Sequence, residues 1–179
     1  MTMSSDPALL ERARQIRLLA LDVDGILTDG RLYFDSEGRE IKAFHVADGL
    51  GLNALRKAGF TLAIITGRAS RMVTDRAASL GIEHVYQGQD DKGTALQDLL
   101  KQTGLAAEQL AYAGDDWIDL PVLQRVGLAV TVPHAPPEVR AAAHWITTRA
   151  GGAGAVRELC ELLLDAQDLR AATLAPFLQ

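Results

Sequence analysis

The stretch LLALDVDGILTD, residues 18–29, decides how this chain is read. It begins as an apolar run of strand length and ends in two aspartates one residue apart, with a glycine directly behind them. Side chains alternate faces along a strand, so Asp22 and Asp24 project to one side while the strand continues. Carboxylates that close repel each other and call for a cation, a shared proton, or both. Taken alone the pattern equally fits a turn or helix-capping aspartate after a strand, so its meaning depends on the rest of the chain.

Working outward, residues 5–15 read as a short helix, capped by Ser5 or Asp6 with Pro7 in its first turn. Residues 17–21 are the first strand. The runs 31–35 and 41–46 carry aromatic and β-branched residues around a break containing Gly38. They predict a β-hairpin over about residues 30–47, projecting from the sheet edge. A helix follows from Gly49 to Gly59. Strands are then expected at 60–65, 84–86, 110–113, 128–132 and 144–147. Helices are expected at 70–80, 92–102, 118–126, after Pro136-Pro137, and at 155–167. The tail, about 168–179, is expected to be mobile or to dock on a partner. Strands alternating with helices at this spacing mean βαβ units and a parallel sheet covered on both faces.

Composition sets outer bounds. A chain of 179 residues fits a single domain, 1–179, with a substantial core. Net charge is -5 and no basic cluster stands out, which argues against nucleic acid as the main partner. The one cysteine, Cys160, excludes an intrachain disulfide and a thiolate metal site and reads as core. No segment approaches the roughly 20 apolar residues of a membrane span. The N-terminus mixes acidic and basic residues before any apolar stretch and does not read as a signal peptide, so a cytoplasmic protein is expected.

In open α/β sheets, ligands bind beyond the carboxyl ends of the strands. Four strands here end in reactive polar residues: Asp22 and Asp24, then Thr66, then Lys92 shortly after the third, then Asp115 with Asp116. Each has a dull explanation as a cap, a solvated lysine or a helix-start acid. Together, in one topological position, they fit phosphoryl transfer. Asp22 and Asp115 can hold one Mg2+ through oxygens. A lysine and a hydroxyl can take the remaining phosphoryl oxygens. Asp22 is left as an oxygen nucleophile, and Asp24 can give a proton to the leaving alcohol and later take one from water.

DVDGILT, the strand ending in Thr66, Lys92 and GDDWID closely resemble the four motifs of the haloacid dehalogenase superfamily of phosphatases. The resemblance spans nearly the whole chain. It implies an α/β, Rossmann-like doubly wound sheet, nucleophile Asp22, acid/base Asp24, and Thr66 and Lys92 on the phosphoryl group. It also implies Mg2+ on Asp22, Asp115 and the backbone carbonyl of Asp24, with Asp116 and Asp119 outside the ligands and Asp119 orienting them. The intervals between motifs are too short for a cap domain. An uncapped site is open, and the projecting hairpin is a candidate lid for a neighbouring subunit.

A finer resemblance is to the 3-deoxy-D-manno-octulosonate 8-phosphate phosphatases, through LTDG, KAFHVADGLG, AIITGR, AYAGDD and AGGAGAVRELC. It implies a cytoplasmic homotetramer in lipopolysaccharide sugar synthesis whose hairpins cover neighbouring sites. It places substrate contacts at Asp24, His45, Val46, Ala47, Asp48, Gly49, Arg68, Arg76 and Lys92. Arg68 and Arg76, eight apart, are expected on one helix face, where arginine suits a carboxylate. Relatives acting on nine-carbon sialic-type 9-phosphates carry Glu after the Thr-Gly; Arg68 in that place favours the eight-carbon acid. Two departures stand out: Ala47 and Asn53, where the family often has Arg. The glycines at 151, 152 and 154 are expected either to swing over a site or to form a turn.

The rival from another class is a receiver-like phosphoacceptor domain, which also joins an acidic Mg2+ pocket to a Thr and a Lys. Its acceptor ends the third strand; here that strand ends in Gln87-Gly88. A catalytically dead binding protein is disfavoured because every expected side chain is present. A P-loop kinase is excluded by the missing GxxxxGK[ST] loop.

Overall fold

The computed structural model describes residues 6–178. At its centre lies strand β1 (Leu18–Leu21), buried along its whole length, as a parallel strand covered on both faces must be. Strands β4 (Thr61–Ile65) and β6 (Leu110–Ala113) flank it, and β5 (His84–Tyr86), β7 (Leu128–Thr131) and β8 (Trp145–Ile146) extend the sheet in the order β5-β4-β1-β6-β7-β8. All five pairings are parallel. The chain moves outward from β1 to β5 and then returns to the other side of β1. This reversal places a switch point between β1 and β6, where such sheets open a crevice at their carboxyl ends. Leu21 pairs with Ile64 on one side and Ala113 on the other, so Asp22, Thr66 and Asp115 emerge near one level.

Helices α1 (Pro7–Gln15), α2 (Val46–Lys57), α3 (Arg71–Leu80) and α7 (Ala155–Ala166) pack as one group, and α4 (Lys92–Thr103), α5 (Leu120–Leu123) and α6 (Pro137–Ala142) as another. Right-handed crossovers require this division when the chain reverses across the sheet. In α1 the cap is Asp6, whose carboxylate accepts from the Ala8 N–H at 2.9 Å; Ser5 lies outside the described residues.

Several expectations are corrected. The hairpin reduces to β2 (Tyr33–Phe34) and β3 (Glu40–Ile41), and it rises from the carboxyl end of the central strand, not from the sheet edge. Its loop closes early because the Asp35 carboxylate accepts from the backbone N–H of Glu37 and Arg39. Helix α2 starts at Val46, three residues before Gly49. The helix expected over 118–126 is a 3-10 turn followed by the short α5, because the Asp119 side chain folds back onto the backbone before it.

The tail is docked on its own chain: α8 (Arg170–Leu174) pairs Arg170 with Glu161 at 3.2 Å and Asp165 at 2.7 Å on α7. The glycine segment does not stand ready to swing. Gly152 N–H donates to the Ile26 carbonyl at 3.0 Å, and a Cβ on Gly151 would lie 1.7 Å from the Gly25 carbonyl oxygen. Two glycines therefore let this segment press against the backbone of the DxDG loop and support it.

Candidate active site

The end of β1 delivers Asp22 into a buried carboxylate cluster. Oxygens of Asp22, Asp115 and Asp119 lie within 4.8 Å of one another. Gly25 makes this possible: its φ is +97°, and a Cβ there would fall 2.0 Å from Asp115 Oδ2. Lys92, at the start of α4, is 1% exposed and bridges the cluster, with Nζ 2.8 Å from Asp22 Oδ1 and 2.6 Å from Asp119 Oδ1. Burial pulls the Lys92 pKa down, but Asp22 and Asp119 outweigh it and leave it raised.

Asp119 is already saturated. Its Oδ1 accepts from Lys92 and from the Tyr112 hydroxyl at 2.6 Å, and its Oδ2 from the N–H groups of Asp115 and Asp116 at 2.9 and 3.1 Å. It therefore shapes the loop that carries Asp115. Asp116 is exposed and caps the turn that follows by accepting from the Trp117 N–H.

Asp115 Oδ1, by contrast, is buried without a hydrogen-bond partner among the described residues. Burial, then Asp22, Asp119 and Asp116, push the Asp115 carboxyl up to about 8. Burial and Asp119 push Asp22 up to about 6, against the opposing pull of Lys92. A buried cluster of oxygens with one bare atom and one lysine is short of positive charge, and a hard divalent cation fits that donor set. Asp22 and Asp115 would hold it.

The pH dependence follows by sign. Asp115 binds its proton more tightly folded than unfolded, so its contribution to stability is full at low pH and is lost as pH rises from 3.8 to about 8. A cation that displaces that proton reverses the loss. Adding Mg2+ to EDTA-treated protein is therefore expected to raise the melting temperature more at about pH 8.5 than at about pH 6. An equal rise at both would remove the cluster as the metal site.

Asp24 faces a second network that the sequence did not reveal. Lys42, just beyond β3, ion-pairs with Asp24 Oδ1 and sits 3.3 Å from Glu40, and Glu40 in turn binds Arg68 at 2.8 Å. Arg68 Nε is 3.8 Å from Asp24 Oδ2. Arg68 therefore reaches the site, but not from a helix shared with Arg76. The chain at 66–70 is held off α3 by Gln89 N–H on the Thr66 carbonyl and by the Gln87 side chain on the Ser70 N–H. Thr66 itself is buried at the end of β4.

The other expected contacts divide. His45 is the N-cap residue of α2 and keeps Nδ1 buried without a hydrogen-bond partner among the described residues. Val46 is exposed and Ala47 half-buried. Asp48 turns away: its Oδ1 accepts from the Arg157 N–H at 2.7 Å, in the first turn of α7. Burial raises its pKa against that bond. Gly49 lies under the Arg76 guanidinium, which stacks over Phe44 at 5.7 Å. Arg76 is thus held beside the segment 44–49 and not beside Asp22.

Tyr112 and the Lys42–Glu40 pair were missed. A tyrosine in a fully buried strand does signal a hydroxyl needing a partner. For Lys42 no sequence signal exists, since its partner is 18 residues away.

A central parallel sheet with a DxDG loop at its carboxyl end, a buried lysine and a second acidic loop defines a haloacid dehalogenase-like hydrolase, and the model of that family matches residues 82–159. The chain is 50% identical over 161 residues to the 3-deoxy-D-manno-octulosonate 8-phosphate phosphatase KdsC of Salmonella typhimurium, covering 90% of this chain and 86% of that one. The crystal structure of the Moraxella catarrhalis phosphatase of the same name superposes with a TM-score of 0.92 at 51% identity, covering 94% of this chain and 97% of that one. That structure holds a magnesium ion, a phosphate ion and a KDO molecule. The cobalt-bound Haemophilus influenzae enzyme gives a TM-score of 0.85 at 43% identity, covering 88% and 92%. The chain belongs to the 3-deoxy-D-manno-octulosonate 8-phosphate phosphatase family. Among the described residues no helix is long and apolar enough to cross a membrane.

Proposed function

We propose that this protein is a Mg2+-dependent phosphomonoester hydrolase that releases phosphate from 3-deoxy-D-manno-octulosonate 8-phosphate, within lipopolysaccharide sugar synthesis. The observation that carries the reading is the bridged cluster itself: Lys92 clamps Asp22 at 2.8 Å while Asp115 presents a bare buried oxygen beside it. That arrangement is costly in the absence of a cation and an anion, and a metal with a phosphoryl group supplies both.

Mg2+, held by Asp22, Asp115 and the Asp24 carbonyl, would neutralise charge on the phosphoryl oxygens. Lys92 orients the Asp22 carboxylate so that its other oxygen faces the phosphorus. Asp22 attacks, forming an aspartyl-phosphate as the P–O bond to the sugar breaks. Asp24 gives its proton to the departing sugar oxygen and then takes one from the water that cleaves the acyl phosphate. Thr66 and Lys92 hold the equatorial oxygens. Arg68, half exposed above Asp24, suits the carboxylate of the sugar acid, and His45 Nδ1 is placed to meet a hydroxyl or carboxylate. Ala47 and Asn53 add no charge, so Arg68 and Arg76 carry the anion binding of this segment.

The hairpin supports a homotetramer. Leu32, Phe34 and Ile41 are each at least half exposed, an apolar edge that a neighbouring subunit would cover. A fully active monomer by light scattering removes that idea. Cytoplasmic residence is proposed with the same enzyme role.

The function is tested by phosphate release from eight-carbon and nine-carbon sugar acid phosphates and simple sugar phosphates, each with and without EDTA. The eight-carbon acid is expected to lead in kcat/KM by about tenfold or more. Faster turnover of the nine-carbon acid overturns the substrate, and phosphate release indifferent to EDTA overturns the metal.

A further inference from the structure

We propose that Lys42 is a positioning residue of the phosphatase site: it pins one oxygen of Asp24 and so fixes where the other, Oδ2, faces. This rests on the acid/base role proposed for Asp24.

The hairpin has its chemistry inside out. Its apolar side chains Leu32, Phe34 and Ile41 face outward, while the side chain of Lys42 is 2% exposed. Lysines are almost never buried unless paired, so the partners of Lys42 show why it is there. They are Asp24 Oδ1 and, at 3.3 Å, Glu40. Glu40 is shared with Arg68 at 2.8 Å and is not available to neutralise Lys42 alone.

The two oxygens of Asp24 are left unequal. Oδ1 is occupied by the ammonium. Oδ2 is buried and has no hydrogen-bond partner among the described residues; Arg68 Nε lies 3.8 Å from it, beyond hydrogen-bond reach. One oxygen is thereby held in place and the other is left without a donor, so the direction of the Asp24 carboxylate is set by Lys42. The Lys42 ammonium also ties the end of the hairpin to the Asp24 side chain of its own chain.

The test separates positioning from structure by leaving group. An alkyl phosphate needs a proton on its departing oxygen; p-nitrophenyl phosphate does not, because phenolate leaves unaided. Single-turnover release of the leaving group, with saturating Mg2+ and enzyme in excess, reads only the first step. For Lys42→Met, alcohol release from an alkyl phosphate is expected to slow by about 10- to 100-fold, while p-nitrophenolate release stays within about threefold. Lys42→Arg is expected to recover most of the loss. In an Asp24→Asn background, Lys42→Met is expected to add no further loss. Melting temperature and Mg2+ titration of each variant report the fold and the metal site independently of rate.

Equal slowing on both esters overturns the proposal in favour of a structural role, and so does failure of Lys42→Arg to recover the loss. A change confined to KM makes Lys42 a substrate contact instead and overturns it as well. Because any alkyl phosphate serves, a wrong sugar assignment appears in the wild-type enzyme and leaves this comparison readable.

Discussion

Asp22→Asn is expected to reduce Mg2+-dependent phosphate release by at least about 10⁴-fold, because no other side chain can form the acyl phosphate. The fold should survive. Asparagine keeps the size of the aspartate and can still accept from Lys92, which also retains Asp119 at 2.6 Å. Removing one negative charge also relieves Asp115, which the Asp22 charge helps to push up to about 8. The metal-free variant is therefore expected to melt no lower than the parent at neutral pH, while its Mg2+ affinity falls. Acid-quenched samples of the parent should carry an acyl phosphate and those of the variant none. Substantial turnover by Asp22→Asn would show that another group attacks phosphorus.

The second large effect belongs to Lys92. Its ammonium is buried against two carboxylates and the Tyr112 hydroxyl, which lies 3.2 Å away. Breaking a buried ion pair by removing one partner costs about 3–5 kcal/mol, because the other charge stays behind without compensation. Here two carboxylates stay behind. Lys92→Met is expected to lose stability in that range in urea unfolding without metal, with Mg2+ restoring part of it by neutralising Asp22. Loss of a preorganised cation on the phosphoryl group should also lower kcat by about 10²- to 10³-fold. An unfolding free energy within about 1 kcal/mol of the parent would mean that the bridge is effectively solvated.

These two residues show how much of the site was legible. Asp22, Thr66, Lys92 and Asp115 each follow an apolar strand or open a helix, and the parallel sheet brings strand ends to one level without further information. The register of Leu21 with Ile64 and Ala113 is the physical statement of that rule. Asp119 was legible as part of the same acidic loop, and the structure surrounds its carboxylate with four donors. The fold class and the family were readable for the same reason, since local periodicity and short motifs carry them.

Other features were not legible, because a side chain chose a partner far along the chain. Asp48 looked like a substrate contact because it lies in KAFHVADGLG, yet its carboxylate caps α7, 109 residues away. Arg68 looked helical because Thr66-Gly67-Arg68 runs straight into α3, yet it lies in a bend before that helix, held by bonds from Gln87 and Gln89. The glycine segment left a swinging lid and a turn both open, and it is a turn whose Gly151 and Gly152 pack against the DxDG loop so closely that side chains have no room.

From the sequence alone came the α/β alternation, the four strand-end motifs and the chemistry they serve, because each is encoded within a few residues and placed by a periodic backbone. Only the tertiary structure decided which oxygen of Asp24 stays bare. That outcome depends on a hairpin folding back to lay one buried lysine on one carboxylate, and the energy that selects it comes from pairing charges away from water, which no local pattern records.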